Sequence, residues 1–202
     1  TSVEPCTTDD LAAILYTSGT TGRSKGAMLT HDNLLSNGLV LYEYWQWVEG
    51  DVLLHALPIF HVHGLFVALH CALLNGSRII FLDKFDVDRV VEELPKSTVL
   101  MGVPTFYVRL LEAGGFDRDL CATMRLFISG SAPLLAETFT AFEARTGQPI
   151  LERYGMTEAG MITSNPYSGS RVPGTVGFAS PGVTARVADD KGREIERGEV
   201  GV

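Results

Sequence analysis

The chain has 202 residues, 46% of them apolar and 20% charged, with 16 Lys and Arg against 24 Asp and Glu for a net charge of −8. This composition is that of a globular domain and excludes disorder as the main state. The length buries about 70% of the unfolded surface, enough for one or two domains without disulfides or structural metals. The acidic balance opposes a nucleic-acid backbone or an anionic membrane surface as partner. Cys6, Cys71 and Cys121 are odd in number and show no metal-ligand spacing, which suits a reducing compartment. The longest apolar run, residues 65 to 74, is interrupted by His70 and is about half of what a bilayer helix needs, so no membrane span is expected. Thr1 at the start and a strand-like Glu199-Val200-Gly201-Val202 at the end lead us to expect a piece of a longer polypeptide.

In chain order, the apolar run 11 to 16 reads as a buried strand feeding a polar loop. After a short apolar piece at 27 to 29, Thr30 to Asn33 supply N-cap residues for a helix to about Trp47. Strands are expected at 51–57, 78–82, 98–103, 124–129 and 150–154. Helices are expected at 62–74, 86–94, 104–113 and 134–145, with Pro104 in a first turn and Gly114-Gly115 as a stop. Alternating strands and helices predict an α/β fold, a mainly parallel sheet flanked by helices on both faces. Prolines and glycines crowd together from Asn165 onward, and beyond Pro173 the residues 183 to 187 alternate before a turn at Asp190-Lys191-Gly192. These features predict an α/β nucleotide- and acyl-binding region over residues 1–172 and the incomplete start of a β-rich antiparallel element over 173–202.

Residues 17 to 26, TSGTTGRSKG, contain three glycines, five hydroxyl residues and two cations, with no apolar side chain. Glycines let backbone N–H groups face an anion, hydroxyls add donors and Lys25 adds a point charge suited to a polyphosphate. The order differs from the Walker loop, because Ser24 and Gly26 flank the lysine, which disfavours a P-loop kinase or GTPase. A flexible linker explains the same composition, but ligands in α/β sheets sit at loops of this kind. Tyr154-Gly155-Met156-Thr157-Glu158 combines an aromatic face, a hydroxyl and a carboxylate able to hold Mg²⁺; alone it equally suits a strand end followed by a helix cap. Ser129-Gly130-Ser131-Ala132-Pro133 lacks the G-x-S-x-G order of a hydrolase elbow, so Ser131 is not read as a nucleophile.

TSGTTGRSKG, GSAP and YGMTE, in this order, resemble the adenylate-forming superfamily of acyl-CoA synthetases, luciferases and peptide-synthetase adenylation domains. The resemblance implies ATP, Mg²⁺ and CoA as cofactors. It places Thr17, Ser18, Gly19, Thr20, Thr21, Gly22 and Lys25 on the ATP phosphates. Ser131, Ala132, Pro133, Glu152, Arg153 and Tyr154 would line the adenine, Thr157 and Glu158 would address the α-phosphate and the magnesium, and Thr20 would join Glu158 at the metal. Pro58 to Gly64 resembles the segment that guards the acyl pocket, which makes His61 a gate; read alone, His61 and His63 are two alternating side chains without a third metal ligand nearby. Lys84 falls near the family's CoA region.

Residues 104–111, 151–161 and 173–182 narrow the resemblance to malonyl-CoA synthetases. A dicarboxylate brings a second charge whose burial unpaired costs several kcal/mol. Arg109, three residues after Phe106 on one helical face, is the expected partner, beside Ser131. The resemblance thus implies an acid–thiol ligase that activates malonate or methylmalonate as an acyl-adenylate. The catalytic residues would be Lys25, Thr157, Glu158 and His61, and the C-terminal domain of the same polypeptide would be missing. Rival expectations are another carboxylic acid, a carrier-protein-loading domain, or a nucleotide-binding module without catalysis. A cytoplasmic location is expected, with the mitochondrial matrix as the alternative.

Overall fold

The computed structural model describes residues 4–17 and 24–195. A two-stranded antiparallel hairpin, β1 (Leu11–Thr17) and β2 (Lys25–Thr30), precedes helix α1 (His31–Tyr44). The body then alternates: β3 (Val52–His55), a π-helical segment (His63–Leu69) running into α2 (His70–Leu74), β4 (Arg78–Phe81), α3 (Val87–Glu93), β5 (Val99–Gly102), α4 (Pro104–Glu112), β6 (Leu126–Ser129), α5 (Ala136–Thr146) and β7 (Leu151–Met156). Two further strands, β8 (Gly160–Ser164) and β9 (Phe178–Ala179), complete a seven-stranded sheet of order β4-β3-β5-β6-β7-β8-β9. The first five strands are mutually parallel and the last two join antiparallel.

The unbroken apolar runs are explained by burial on both faces, since β5 and β6 are buried at every residue. Alternation along each strand divides the core into two layers. Leu54, Leu100 and Phe127 point to Tyr107, Leu110, Phe139 and Phe142 of α4 and α5. Leu53, Val99, Met101, Leu126 and Ile128 point to Leu41 of α1, to Trp45 just after it, and to Val67, Ala68 and Cys71 of the 63–74 segment. Each such side chain contributes roughly 1.5–3 kcal/mol by leaving water, so the sheet is clamped from both sides as the alternation predicts.

Thr30 caps α1 as expected: its hydroxyl accepts the Asn33 N–H at 3.2 Å, and its own N–H donates to Asn33 Oδ1 at 3.0 Å. The helix stops at Tyr44 because Gln46 takes a positive φ of 50°, which turns Trp45 and Trp47 into the core. At the amino end of the sheet, Asp51 is buried before β3 and forms an ion pair with Arg125 before β6. Arg125 Nε donates to Asp51 at 2.6 Å, the Val48 N–H at 2.9 Å and the Thr98 hydroxyl at 2.8 Å.

Four expectations are corrected. The 11–16 run is a strand but not a buried one, with Leu11, Ile14 and Tyr16 exposed. Pairing with β2 satisfies its backbone, and within the hairpin only Leu29 of β2 reaches the core. The 62–74 helix opens with wider, π-type hydrogen bonding. Thr157 and Glu158 cap no helix: they form the tight turn between β7 and β8, closed by Gly160 at φ +67°. Residues 183–187 form no strand; Ala188 bridges Glu194 around the expected turn, where the Gly192 N–H donates to Asp189 at 2.9 Å.

Candidate active site

The chain order β4-β3-β5 means that the segments leaving β3 and β5 depart in opposite directions. Such a switch point opens a crevice beyond the carboxyl ends of the strands, where α/β sheets bind ligands. A cavity of about 900 Å³ lies there. His61 and His63 enter it from the segment after β3, Lys84 and Phe85 from after β4, Phe106 from α4, Ser131 from after β6, and Arg153 and Thr157 from β7 and its turn. Of the residues expected at the site, His61, Lys84, Ser131, Arg153 and Thr157 therefore meet in one cavity, although they come from four separate strand ends.

The remaining candidates fall elsewhere. Glu158 is exposed on the β7–β8 turn and lines a second cavity of about 330 Å³ against α1; Thr157 touches both cavities. Asn37 fixes this turn by donating to the Met161 carbonyl at 3.2 Å and accepting the Met161 N–H at 3.1 Å. Ala132 and Pro133 are exposed on the loop after β6, and Tyr154 is exposed where β7 leaves the core. Strand alternation turns Glu152 away from Arg153, and its Oε1 accepts the Leu134 N–H at 3.1 Å. Burial, only partly opposed by that bond, raises the Glu152 carboxyl above its ordinary range.

Thr17 and Lys25 face each other at the open end of the hairpin, where the Thr17 hydroxyl donates to the Lys25 carbonyl at 3.4 Å. Ser18, Gly19, Thr20, Thr21 and Gly22 lie outside the described residues. Among the described residues no cluster of three His, Cys, Asp or Glu side chains could cage a metal. The donor set fits Mg²⁺ all the same, because that ion commonly takes one or two carboxylates and fills its other positions with phosphate oxygens and water. Glu158, an exposed carboxylate beside the Thr157 hydroxyl, offers such a ligand.

Arg109 is exposed on α4 and does not line the cavity. Its guanidinium sits over the Phe85 ring, 5.0 Å from the centroid, and Phe85 stacks on Phe106 at 3.8 Å between centroids. The two rings form the aromatic wall of the cavity, with Arg109 set against it.

Inside the cavity the polar groups are unusual. His63 is buried and its Nδ1 lies 3.1 Å from the Ser131 hydroxyl. Burial first, then the Arg153 charge and His55, hold His63 well below the usual histidine range, so it is neutral at pH 7. Ser131 adopts φ +69°, a left-handed conformation rare outside glycine. Arg153 is 3% exposed, and its Nε and Nη2 have no hydrogen-bond partner. Burial pushes its guanidinium down to about 10, which still leaves it charged at pH 7. The group lies against Gly130, where an added Cβ would stand 2.4 Å from Arg153 Cζ.

Sequence reasoning missed His63 as a buried partner of Ser131 and the Phe85–Phe106 wall, and it assigned Arg153 to adenine alone. The available signal was a cation inside the run 150–154, read as a strand of a sheet covered on both faces.

The AMP-binding enzyme family model matches residues 1–202. The chain is 43% identical over 195 residues to the mitochondrial malonate–CoA ligase of Mus musculus, covering 89% of this chain and 33% of that protein. It superposes on the ATP-bound MatB from Rhodopseudomonas palustris with a TM-score of 0.94 at 60% identity, over 97% of this chain and 39% of that one. A malonyl-CoA ligase in ternary product complex with methylmalonyl-CoA and AMP gives a TM-score of 0.87 at 38% identity, over 93% and 42%. The chain thus spans about a third of the length of the mouse relative, and all of it matches one family: it belongs to the AMP-binding enzymes.

Proposed function

We propose that the polypeptide carrying this chain is an ATP-dependent acid–CoA ligase acting on malonate or a methyl-substituted malonate. The observation that carries this reading is the convergence of four strand ends on one cavity at the sheet's switch point. The malonate–CoA ligase name of the mouse relative, and the ATP and methylmalonyl-CoA named with the neighbouring structures, supply the chemistry.

In the proposed reaction a substrate carboxylate oxygen attacks the α-phosphorus of ATP, and the bond to pyrophosphate breaks. The CoA thiol, losing its proton, then attacks the acyl carbon and AMP leaves. No protein nucleophile is needed. Lys25 and the 17–22 loop hold the phosphates, Thr157 meets the α-phosphate, and Glu158 would hold Mg²⁺, which neutralises charge on the phosphate oxygens. His61, exposed on the cavity rim against the Phe60 ring, gates entry, and Lys84 on the same rim suits the CoA side.

The chain would serve as the central part of that ligase, with residues 1–172 binding nucleotide and acyl group and 173–202 beginning the next β-rich unit. It would be inactive alone. A cytoplasmic or mitochondrial-matrix location is proposed, the second supported by the mouse relative; among the described residues no helix is long and apolar enough to cross a membrane. The test is pyrophosphate release by the complete polypeptide with Mg²⁺·ATP and malonate, followed by thioester formation with CoA. ATP binding without malonate-dependent pyrophosphate release would overturn the reading in favour of a nucleotide-binding module. Faster turnover of butyrate would overturn the dicarboxylate assignment.

A further inference from the structure

The turn that carries Thr157 and Glu158 is built to hold one shape. A Cβ on Gly155 would stand 2.4 Å from the Gly160 carbonyl oxygen, and Gly160 itself takes φ +67°. The Ala159 N–H donates to the Met156 carbonyl at 3.3 Å and closes the turn locally. A further anchor comes from α1, remote in sequence. Asn37, half-buried on that helix, donates to the Met161 carbonyl at 3.2 Å and accepts the Met161 N–H at 3.1 Å. One side-chain amide thus satisfies both backbone groups of the residue that follows Gly160. A Cβ on Gly160 would stand 2.7 Å from Asn37 Oδ1, so the glycine is also what admits the amide.

The helix that holds Asn37 is tied at its other end to the hairpin. Thr30 and Asn33 form the capping box that starts it. The His31 N–H donates to the Asp10 carbonyl at 3.1 Å, and the Asp32 N–H to the Thr8 carbonyl at 2.9 Å. Thr30 is also the last residue of β2, whose first residue is Lys25. Asn37 stands about two helical turns, roughly 10 Å, beyond Thr30. The helix therefore joins the strand that carries Lys25 to the turn that carries Thr157 and Glu158. Its other polar side chains nearby are occupied: Asn33 is bonded to Thr30, and the Ser36 hydroxyl donates to the Asp32 carbonyl at 2.7 Å.

We propose that Asn37 is a positioning residue for adenylate formation: by bonding both backbone groups of Met161, it fixes the Thr157 hydroxyl and the Glu158 carboxylate relative to Lys25. It touches no substrate itself. The two arms of the phosphate site, one on the hairpin and one on the β7–β8 turn, are thereby held as parts of one body. This deepens the ligase reading and rests on it. Alignment of this kind acts on rate more than on binding, because a misplacement of about 1 Å can cost on the order of 10²-fold.

The experiment uses the complete polypeptide and its Asn37→Ala, Gly160→Ala and Glu158→Gln variants, with the Asn37→Ala and Glu158→Gln changes also combined. Without nucleotide or metal, hydrogen exchange at the Met161 amide should quicken on the order of 10-fold in Asn37→Ala, as the loss of one such bond implies. With Mg²⁺·ATP and malonate, kcat for pyrophosphate release should fall on the order of 10-fold. The Mg²⁺ concentration for half-maximal rate should rise, while KM for malonate changes less. Gly160→Ala displaces the amide without removing it and should give the same kinetic pattern. In the Glu158→Gln background, Asn37→Ala should cost less than in the parent, because both act through one turn. Equal cost in the two backgrounds, an unchanged Mg²⁺ requirement in Asn37→Ala, or a lower melting temperature with kcat unchanged would overturn the proposal while leaving the ligase reading intact. A parent that releases no pyrophosphate with malonate would overturn the ligase reading, and the proposal with it.

Discussion

Two arginines, Arg125 half-buried and Arg153 fully buried, sit at opposite ends of the same sheet and are treated in opposite ways. Arg125, at the amino end, pairs with Asp51, reaches toward the Trp45 carbonyl and covers the Tyr167 ring. Arg153, one step beyond the point where β6 ends against β7, has no counter-charge among the described residues. Their acidities diverge accordingly. Burial alone would lower both guanidiniums, but the hydrogen bonds and charges of Asp51 and Tyr167 together outweigh it and raise Arg125, whereas burial prevails at Arg153. The contrast is between a cation that the chain itself satisfies and one that it leaves without a counter-charge among the described residues.

The largest effect should come from breaking the satisfied end. Asp51→Asn leaves the half-buried Arg125 without its counter-charge and should lower stability by about 1.5–3 kcal/mol in urea unfolding. The pH dependence has a fixed sign. Burial pulls the Asp51 carboxyl up, but the bonds from Arg125, the Val48 N–H and Thr98 bring it below the usual aspartate range. Its contribution is therefore complete above the unfolded value of about 3.9 and is lost as pH falls through the lower folded value. The Asn variant should lose that acid-side slope.

A smaller effect is expected at the unsatisfied end from Gly130→Ala, whose Cβ would displace the Arg153 guanidinium. Misplacing that cation should cost malonate turnover up to about 10²-fold, visible in kcat/KM. An unaffected variant would mean that the guanidinium is not held in place for a ligand. The smallest effect separates strain from bonding at Ser131. Ser131→Ala leaves His63 Nδ1 without its partner and keeps the positive φ, a loss of about 1 kcal/mol or more. Ser131→Gly relieves the φ of 69° and should lose less, which paired thermal melts would resolve.

The satisfied half of the molecule was legible because its rule is local. Uninterrupted runs such as Val99–Gly102 and Leu126–Ser129 announce strands buried on both faces, and the helices between them fix the parallel order. The hairpin was legible as strands but not as exposed ones, because residues 11 to 16 are apolar whether or not anything covers Ile14 and Tyr16. The site was half legible. Motif order brought His61, Ser131, Arg153 and Thr157 to one cavity, while the TSGTTGRSKG run falls largely outside the described residues. The choice between Arg109 and Arg153 could not be read from spacing. Helical periodicity places Arg109 near Phe106, yet the interposed Phe85 comes from a strand end remote in sequence. Only the sheet's topology shows that Arg153 faces the crevice while its neighbour Glu152 faces away.

The most direct measurement is a crystal structure of the complete polypeptide with malonate and a non-hydrolysable ATP analogue. One malonate carboxylate should lie near the α-phosphate and the other on the Arg153 guanidinium, at about 2.7–2.9 Å. A distal carboxylate resting on Arg109, or an Arg153 still unpaired with malonate bound, would contradict that placement.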